Sequence, residues 1–170
     1  MLKQRMYHFV IYQLSGIQAG IQAGHAANQY SLSFGDSEEY QRWTIFDKTV
    51  IILNGGTTNS QNLDFYSGGR YVGTIQEVYA KLTELGIPAE PFYEPDLNNA
   101  MTAIAFLVDE RIWDKEKYPD FRCPISYEAM NVISKMQEAK IAEAEAKDKG
   151  FTRKELEIRD YLESFSLARN

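Results

Sequence analysis

Cysteine, histidine and long apolar runs are scarce in this sequence of 170 residues, and each shortage excludes a class of protein. The single cysteine, Cys123, cannot form a disulfide within the chain, and one cysteine with two histidines does not supply the ligands of a typical zinc site. We therefore expect no metal or other cofactor, and a reducing, cytoplasmic location. No apolar run approaches the about 18 residues that span a bilayer, so we expect neither membrane association nor a secretory signal.

Acidic residues outnumber basic ones, 24 to 18, which gives the chain a formal net charge of −6. A protein that wraps long nucleic acid normally presents a broad basic face, so this balance argues against such a role. It leaves room for a local pocket that holds one phosphate or one tRNA end. Apolar residues make up 44% of the sequence, which is enough for a packed core and excludes a chain that is disordered throughout.

The order of the predicted elements indicates a small α/β protein. Runs of β-branched and aromatic residues predict strands, and helical spacing of apolar residues predicts helices. The strands are expected over 7–14, 48–53, 89–93 and 103–108, and the long helices over 17–34, 74–85, 126–149 and 152–167. This order predicts a three-layer domain, residues 1–125, with a mixed four-stranded sheet and helices on both faces. Residues 126–170 are expected to form a helical C-terminal extension.

Cap residues predict where these helices begin and end. Ser15 is the expected N-cap of the first long helix, and Asp36 or Ser37 is expected to cap a short helix after it. Two Thr-x-x-Glu patterns predict capping boxes and two glycines predict helix ends: Thr74 with Glu77, Thr152 with Glu155, Gly86 and Gly150.

Residues 54–73 form a Gly-, Asn- and Ser-rich connection that is long for a compact domain. Two interpretations remain open. The segment is either a solvated surface insertion or a lid over a site, in which case Arg70 is the residue expected to reach an anion.

The first long helix carries an unusual line of polar side chains. Gln18, Gln22, His25 and Gln29 follow one another at steps of four, three and four, which places them on one face. Helices that only pack against a sheet do not normally have such a line, so we expect these side chains to face a cleft; the alternative is a polar outer face. In the same helix, glycines at 20 and 24 are expected to let another backbone approach closely.

A second polar cluster lies between the third and fourth predicted strands. It combines the carboxylates of Glu94 and Asp96 with the amides of Asn98 and Asn99. Loops at strand ends commonly hold ligands in α/β proteins, and a carboxylate there can orient His25 or activate a water. The alternative is a simple turn, since Pro, Asp and Asn favour turns.

Gln22-Ala-Gly-His25-Ala26 forms a Gln-x-x-His-Ala pattern on the predicted helix after the first strand. This pattern resembles the motif that the type II peptidyl-tRNA hydrolases have at the same place. The resemblance continues, except across the insertion, through a Trp-containing helical segment, a strand, a helix end, a polar loop and a last strand: Trp43, residues 48–53, Leu85-Gly86-Ile87, residues 94–99 and residues 102–106. Together they cover residues 6–108.

The resemblance implies a hydrolase of the ester between tRNA and a peptidyl or N-blocked aminoacyl group. The family lysine regarded as catalytic falls on Gln18, and the loop aspartate aligns with Glu94 or Asp96; with His25, these residues are the expected catalytic set. The expected substrate-binding residues are Gln22, Gln29, Asn98, Asn99, Thr102 and Arg70, with Lys48 or Lys81 as further phosphate ligands.

Loss of the lysine favours a second hypothesis. A glutamine donates a hydrogen bond without the strength that a charge adds, so the chain is alternatively a binding protein for a nucleotide, a tRNA end or a protein partner, without turnover. A third hypothesis is an interaction module. In it, the C-terminal helices form a homodimer or dock another protein through a thin apolar stripe: Ile133, Met136, Ile141, Phe151 and Leu156.

Overall fold

The structure of the chain is a computed structural model that describes residues 1–59, 73–122 and 132–168, without the side chains of 132–134. Its elements in chain order are β1 (Gln4–Ile11), α1 (Gly16–Phe34), α2 (Glu38–Arg42), a π-helical turn (Trp43–Asp47), β2 (Val50–Gly56), α3 (Thr74–Glu84), β3 (Ala89–Glu94), a 3₁₀ turn (Pro95–Leu97), β4 (Ala100–Asp109), α4 (Glu110–Trp113), α5 (Val132–Asp148) and α6 (Arg153–Glu163). Most of the predicted insertion 54–73, the predicted anion ligand Arg70, Cys123 and the predicted helix start at 126–131 lie outside the described residues.

The predicted fold class is confirmed. The four strands form one mixed sheet in the order β2-β1-β4-β3, in which β1 is parallel to β2 and antiparallel to β4. The two halves of the sheet differ because α1 and α2 carry the chain from β1 back to a parallel partner, whereas a tight turn joins the antiparallel pair β3 and β4.

Small residues bring α1 close to one face of the sheet. Ala19, Ala23 and Ala26 are buried at helical spacing and form a cluster with Met6 and Val10 of β1. Alternate residues of a strand point to one face, so the β1 residues of this cluster mark the face that α1 covers.

The opposite face is aromatic and lies under α3. Phe9 stacks on Phe106 with ring centroids 5.7 Å apart, and the edge of Phe165 packs against Phe9 at 4.7 Å. Ile75 of α3 is fully buried, and its Cδ1 lies 3.3 Å from where a Cβ on Gly55 would stand. Helices therefore cover both faces, as a three-layer arrangement requires.

The chain divides into two compact units. The first contains the sheet, residues 1–109, together with the final segment 164–170, of which the described residues end at 168. The second contains residues 110–163. The predicted domain limits, 1–125 and 126–170, stay a prediction.

A buried arginine organises the second unit. The Arg159 side chain donates hydrogen bonds to the carbonyl oxygens of Ile112 (2.7 Å), Tyr118 (2.9 Å) and Arg111 (2.5 Å). Its guanidinium also lies 5.0 Å from the ring centroid of Phe151, which is fully buried. Burial lowers the pKa of Arg159. Sequence reasoning did not find this residue, because an arginine in an amphipathic helix normally faces solvent.

Most of the predicted caps are confirmed. Ser15 accepts the backbone N–H of Gln18 in a capping box, Ser37 caps α2, and Gly86 follows α3 with a φ of 68°. At Thr152 one half of the second predicted box is present, since Glu155 Oε2 accepts from the Thr152 N–H at 2.8 Å, whereas the Thr152 hydroxyl accepts from the Lys154 N–H at 3.2 Å.

The predicted capping box at Thr74 is wrong. Gly73 occupies the N-cap position of α3, and Thr74 is the first helical residue. The Thr74 hydroxyl instead accepts the Thr57 N–H at 2.7 Å and donates to the Gly55 carbonyl oxygen at 3.1 Å. It therefore ties the start of α3 to the end of β2.

Two predicted boundaries also need correction. β1 spans Gln4–Ile11 rather than 7–14, because Gln4 to Met6 pair with Asp109 to Leu107 of β4 whereas the chain turns after Ile11. The last helix ends at Glu163 rather than at 167. Residues 164–168 run beside the outer edge of β2, where Asn54 N donates to Ser166 O and Ala168 N donates to Ile52 O, both at 2.9 Å.

None of the helices in the described ranges has the length and apolar character that crossing a bilayer would need.

Candidate functional site

One edge of the sheet collects most of the predicted site residues. β1 ends there, Ser15 caps α1 there, and the β3–β4 turn lies there too, because Val10 of β1 and Phe92 of β3 both pair with Ala103 of β4. The polar line of α1 and the polar loop 94–99 are thus brought to one edge, where Gln22 contacts Glu94; that these side chains face a cleft stays a prediction.

A buried amide joins these two segments. Gln22 is only 8% exposed; its Nε2 donates to Glu94 Oε2 at 2.5 Å, and its Oε1 accepts from Thr102 Oγ1 at 2.6 Å. A carboxylate can only accept, so this arrangement fixes which end of the amide faces which partner. Gln22 is therefore held at both ends and links α1, β3 and β4.

A β-bulge aims Thr102 at this amide. Phe92 pairs with Ala103, but the next residue of β3, Tyr93, pairs with Met101, so Thr102 is an extra residue on β4. A bulge redirects a side chain that regular alternation would send to the other face. The sequence predicted Thr102 as a substrate ligand, whereas here it is fully buried and binds Gln22.

His25 lies one turn beyond Gln22 on α1. Its exposed ring stacks on Phe92, with ring centroids 4.8 Å apart and planes inclined by 18°. Among the described residues, the hydrogen-bond partner of the Glu94 side chain is Gln22 and not the imidazole. Ring stacking, rather than a carboxylate, therefore fixes the plane of His25 here.

The Gln18 side chain is part of the N-terminal cap of α1. Its Oε1 accepts hydrogen bonds from the Ser15 N–H and from the Ser15 hydroxyl, both at 3.0 Å. Gln18, the residue onto which the sequence resemblance places a lysine, thus completes the α1 capping box, and its Nε2 donates in neither of these bonds.

The loop after β3 is a tight turn, which agrees with the simpler of the two interpretations of its sequence. Pro95–Leu97 form one 3₁₀ turn, Asn98 and Asn99 have φ values of 55° and 56°, and Asn99 N donates to Glu94 O at 3.0 Å. Asparagine adopts this left-handed conformation more readily than most residues. The side chains of Asp96, Asn98 and Asn99 are all exposed at the edge.

The remaining predicted residues lie farther from the amide or outside the described ranges. Gln29 is exposed on α1, as is Lys48 after the π-helical turn. Lys81 pairs with Glu84 at 2.9 Å.

The predicted close approach at the two helix glycines is not made within the described chain. A Cβ added at Gly20 or Gly24 would meet no atom within 4 Å. Nearby, Ile17 and Ile21 are 80% and 52% exposed, and residues 16–34 contain no Asp, Glu, Lys or Arg. This outer surface of α1 is small, apolar and uncharged.

The other histidine belongs to the core. His8 is 1% exposed, and neither of its ring nitrogens has a hydrogen-bond partner among the described residues. Burial lowers its pKa to about 4. A neutral imidazole sealed in this way is not placed to exchange protons with a substrate, so His25 is the histidine of the candidate site.

Within residues 1–59, 73–122 and 132–168, no three His, Cys, Asp or Glu side chains group in a way that could hold a metal ion. Neither the protein-family models nor the curated proteins that were compared with the chain match it.

Proposed function

We propose that the chain is an esterase resembling the type II peptidyl-tRNA hydrolases, which cleaves the ester between tRNA and a peptidyl or N-blocked aminoacyl group. The observation that carries the proposal is the Gln22 amide, fixed between Glu94 and Thr102 beside the exposed ring of His25. These residues form a preorganised polar edge at the strand and helix ends where α/β proteins commonly bind ligands.

In the proposed reaction His25 is the general base. Imidazole is the side chain that most often takes this role near neutral pH. His25 takes a proton from a water, whose oxygen attacks the ester carbonyl carbon. When the bond from that carbon to the ribose oxygen breaks, the protonated His25 returns a proton to the ribose oxygen. Glu94 acts as a positioning residue for Gln22, and amide N–H groups of Gln22 or Gln18 stabilise the oxyanion.

Multiple-turnover hydrolysis of an N-acetyl-aminoacyl-tRNA tests this assignment. His25→Ala is expected to lower kcat by about 100-fold or more, the usual contribution of a positioned base. Asn28→Ala, exposed on the same helix, is the matched control and should retain full activity. Full activity of a folded His25→Ala protein would overturn the role of His25.

Glu94→Gln separates positioning from catalysis at the neighbouring carboxylate. The introduced amide can still accept from Gln22, so a positioning role predicts activity within about tenfold of the parent. A loss as large as that of His25→Ala would instead identify Glu94 as the base.

A binding protein without turnover is the second candidate, and the geometry of Gln18 favours it. Here the position of the family lysine is occupied by a neutral side chain whose oxygen completes a helix cap. Saturable binding of the tRNA 3′ end by a folded parent that hydrolyses no ester would support this candidate and exclude the esterase.

The proposal extends to partners and location. A substrate on tRNA places the protein in the cytoplasm, where translation occurs. A homodimer through the C-terminal helices is also proposed, and the exposed Met136 and Ile141 of α5 support it. Phe151 and Leu156, which the sequence also assigned to this contact, are instead buried in the second unit, and the Ile133 side chain lies outside the described ones. Dimers that persist in Met136→Glu/Ile141→Glu would exclude this interface.

A further inference from the structure

The face of the Phe92 ring supports the imidazole of His25. The two ring centroids are 4.8 Å apart and the planes are inclined by only 18°, so the rings lie nearly parallel. Neither ring nitrogen of His25 has a hydrogen-bond partner among the described residues. The stack therefore restricts how the imidazole can turn and leaves both nitrogens able to bind a water or a substrate.

The Phe92 ring is itself held in place by the core. Phe92 is half-buried in β3, pairs with Ala103 of β4 and packs against the buried cluster between α1 and the sheet. On the other side of the contact, Ala26 follows His25 on α1 and is fully buried, which fixes the helix at this height. Protein interiors are close-packed and hold side chains in preferred rotamers. The Phe92 ring and the helix backbone at His25 thus have little freedom to move.

The stack also places His25 over a ring face that attracts positive charge. The face of an aromatic ring is electron-rich and attracts a cation that lies within about 6 Å of the ring centroid. In the proposed reaction His25 is positively charged after it takes a proton from the water and until it returns one to the ribose oxygen. At a centroid distance of 4.8 Å, Phe92 can stabilise this imidazolium.

Phe92 can thus do what a carboxylate does in many enzymes that use a histidine base. Such enzymes commonly orient the base with a third group, often an Asp or Glu that also stabilises the imidazolium. Here the Glu94 carboxylate binds the Gln22 amide, so it is engaged elsewhere. The group in contact with the His25 ring is the aromatic face of Phe92.

We propose that Phe92 is a positioning residue for His25, whose ring fixes the plane of the imidazole and stabilises the imidazolium that forms during ester hydrolysis. This inference rests on the proposed function, because it assigns a role in the same reaction. It also makes a statement that is independent of hydrolysis: the Phe92 ring favours the protonated form of His25.

Fluorinated phenylalanines at position 92 test the charge effect with little change in shape. Each fluorine withdraws electrons from the ring and weakens its attraction for a cation. From phenylalanine through 4-fluoro-, 3,5-difluoro- and 3,4,5-trifluorophenylalanine, kcat for N-acetyl-aminoacyl-tRNA should fall stepwise, by about two- to fivefold in total, with KM unchanged. Trifluorophenylalanine at Phe46, which is 72% exposed, is the matched control and should leave kcat unchanged.

Two ordinary substitutions test the orientation of the imidazole. Phe92→Leu keeps an apolar side chain but removes the ring, and should lower kcat by about tenfold or more because the base is no longer aligned. Phe92→Tyr retains the ring and should retain most of the activity. In NMR spectra, the upfield shift that a stacked ring imposes on the His25 ring protons should persist in Phe92→Tyr and disappear in Phe92→Leu.

NMR titration of His25 along the fluorinated series provides the readout that does not need hydrolysis. The proton affinity of His25 should fall by about two- to fivefold over the series. Helix α1 contains no Asp, Glu, Lys or Arg, and the carboxylates of β3, Glu90 and Glu94, are the same in every protein of the series, so the change reports the Phe92 ring.

A kcat that stays constant along the fluorinated series would overturn the assignment of Phe92, and so would a constant proton affinity of His25. Absence of all hydrolysis by the folded parent, with a proton affinity that falls along the series, would overturn the esterase and keep the effect of Phe92 on His25.

Discussion

Gln22 and Glu94 are 72 residues apart in the chain, yet Nε2 of the amide and Oε2 of the carboxylate are 2.5 Å apart. The bond connects α1 with the end of β3. It places an acidic group against a helix that contains no Asp, Glu, Lys or Arg. A short charge-assisted bond of this kind orients both partners, so the carboxylate and the amide act as one unit.

The Thr102 hydroxyl is expected to be essential for keeping the Gln22 amide in place beside Glu94. Thr102→Val keeps the shape of the side chain but leaves the buried Gln22 Oε1 without its donor. An unsatisfied buried acceptor costs about 1–3 kcal/mol, so the free energy of unfolding should fall by that amount. Chemical denaturation measures the loss, and Thr102→Ser, which retains the hydroxyl, should lose clearly less. Equal stabilities of the valine and serine variants would contradict the bond.

Because His8 is buried, we expect the stability of the folded protein to depend on pH. In the folded protein its pKa is lowered to about 4, whereas an unfolded chain binds the proton near pH 6.5. The unfolded state therefore takes up the proton first as pH falls. The free energy of unfolding therefore contains a contribution from neutral His8 that is complete above about pH 6.5. This contribution is lost progressively down to about pH 4, and the total loss is about 3 kcal/mol.

The measurement compares the parent with His8→Leu by denaturation between pH 4 and pH 8. Other groups titrate in both proteins, so the difference between their unfolding free energies isolates His8. This difference should shift in favour of the leucine variant as the pH falls. A difference that stays constant over the whole range would show that the imidazole is not sealed from protons.

Arg159 should be the residue on which the second unit depends most. Arg159→Lys keeps a charge but cannot supply donors to three carbonyl oxygens in the geometry of the guanidinium. We expect a loss of about 3 kcal/mol, since buried carbonyl groups are left unpaired. Hydrogen exchange of α6 amides reports this loss within the unit.

Arg153→Lys is the matched control for that measurement. Arg153 lies on the same helix and pairs with Glu143 at 2.7 Å, but on an exposed surface. Such pairs contribute little, so exchange in α6 should barely change. Comparable effects of the two substitutions would mean that burial of Arg159 is not what stabilises the unit.

The sequence was sufficient for the overall fold because its strongest signals are local. Ser15 and Ser37 are caps that act within four residues, and the strand runs are distinct. The Thr102 bulge could not be found in this way, since it depends on how β3 and β4 pair. The final strand-like segment was missed although Ser164 to Leu167 alternate polar and apolar residues, a pattern that favours a strand.

The sequence predicts which polar residues lie near the candidate site but not which of them bind one another. Helix spacing predicts the shared face of α1, and the structure brings Gln22 of that face and Glu94 of the loop together at one edge of the sheet. Helix spacing places Gln22 and His25 on the same face, so it could not decide that Glu94 would bind Gln22 rather than orient His25.

Glycines 20 and 24 offer a test that separates stability from function. Each sits inside a helix with open space where a Cβ would lie, so Gly24→Ala should stabilise the fold by up to about 1 kcal/mol. If a substrate or partner lies against this uncharged face, the added methyl group will obstruct it. Activity or binding should then fall although the melting temperature rises. Gly20→Ala, one turn earlier, should behave in the same way. Substitutions that stabilise the protein and leave both hydrolysis and binding intact would show that nothing approaches α1 at these glycines, and that they serve neither substrate nor partner.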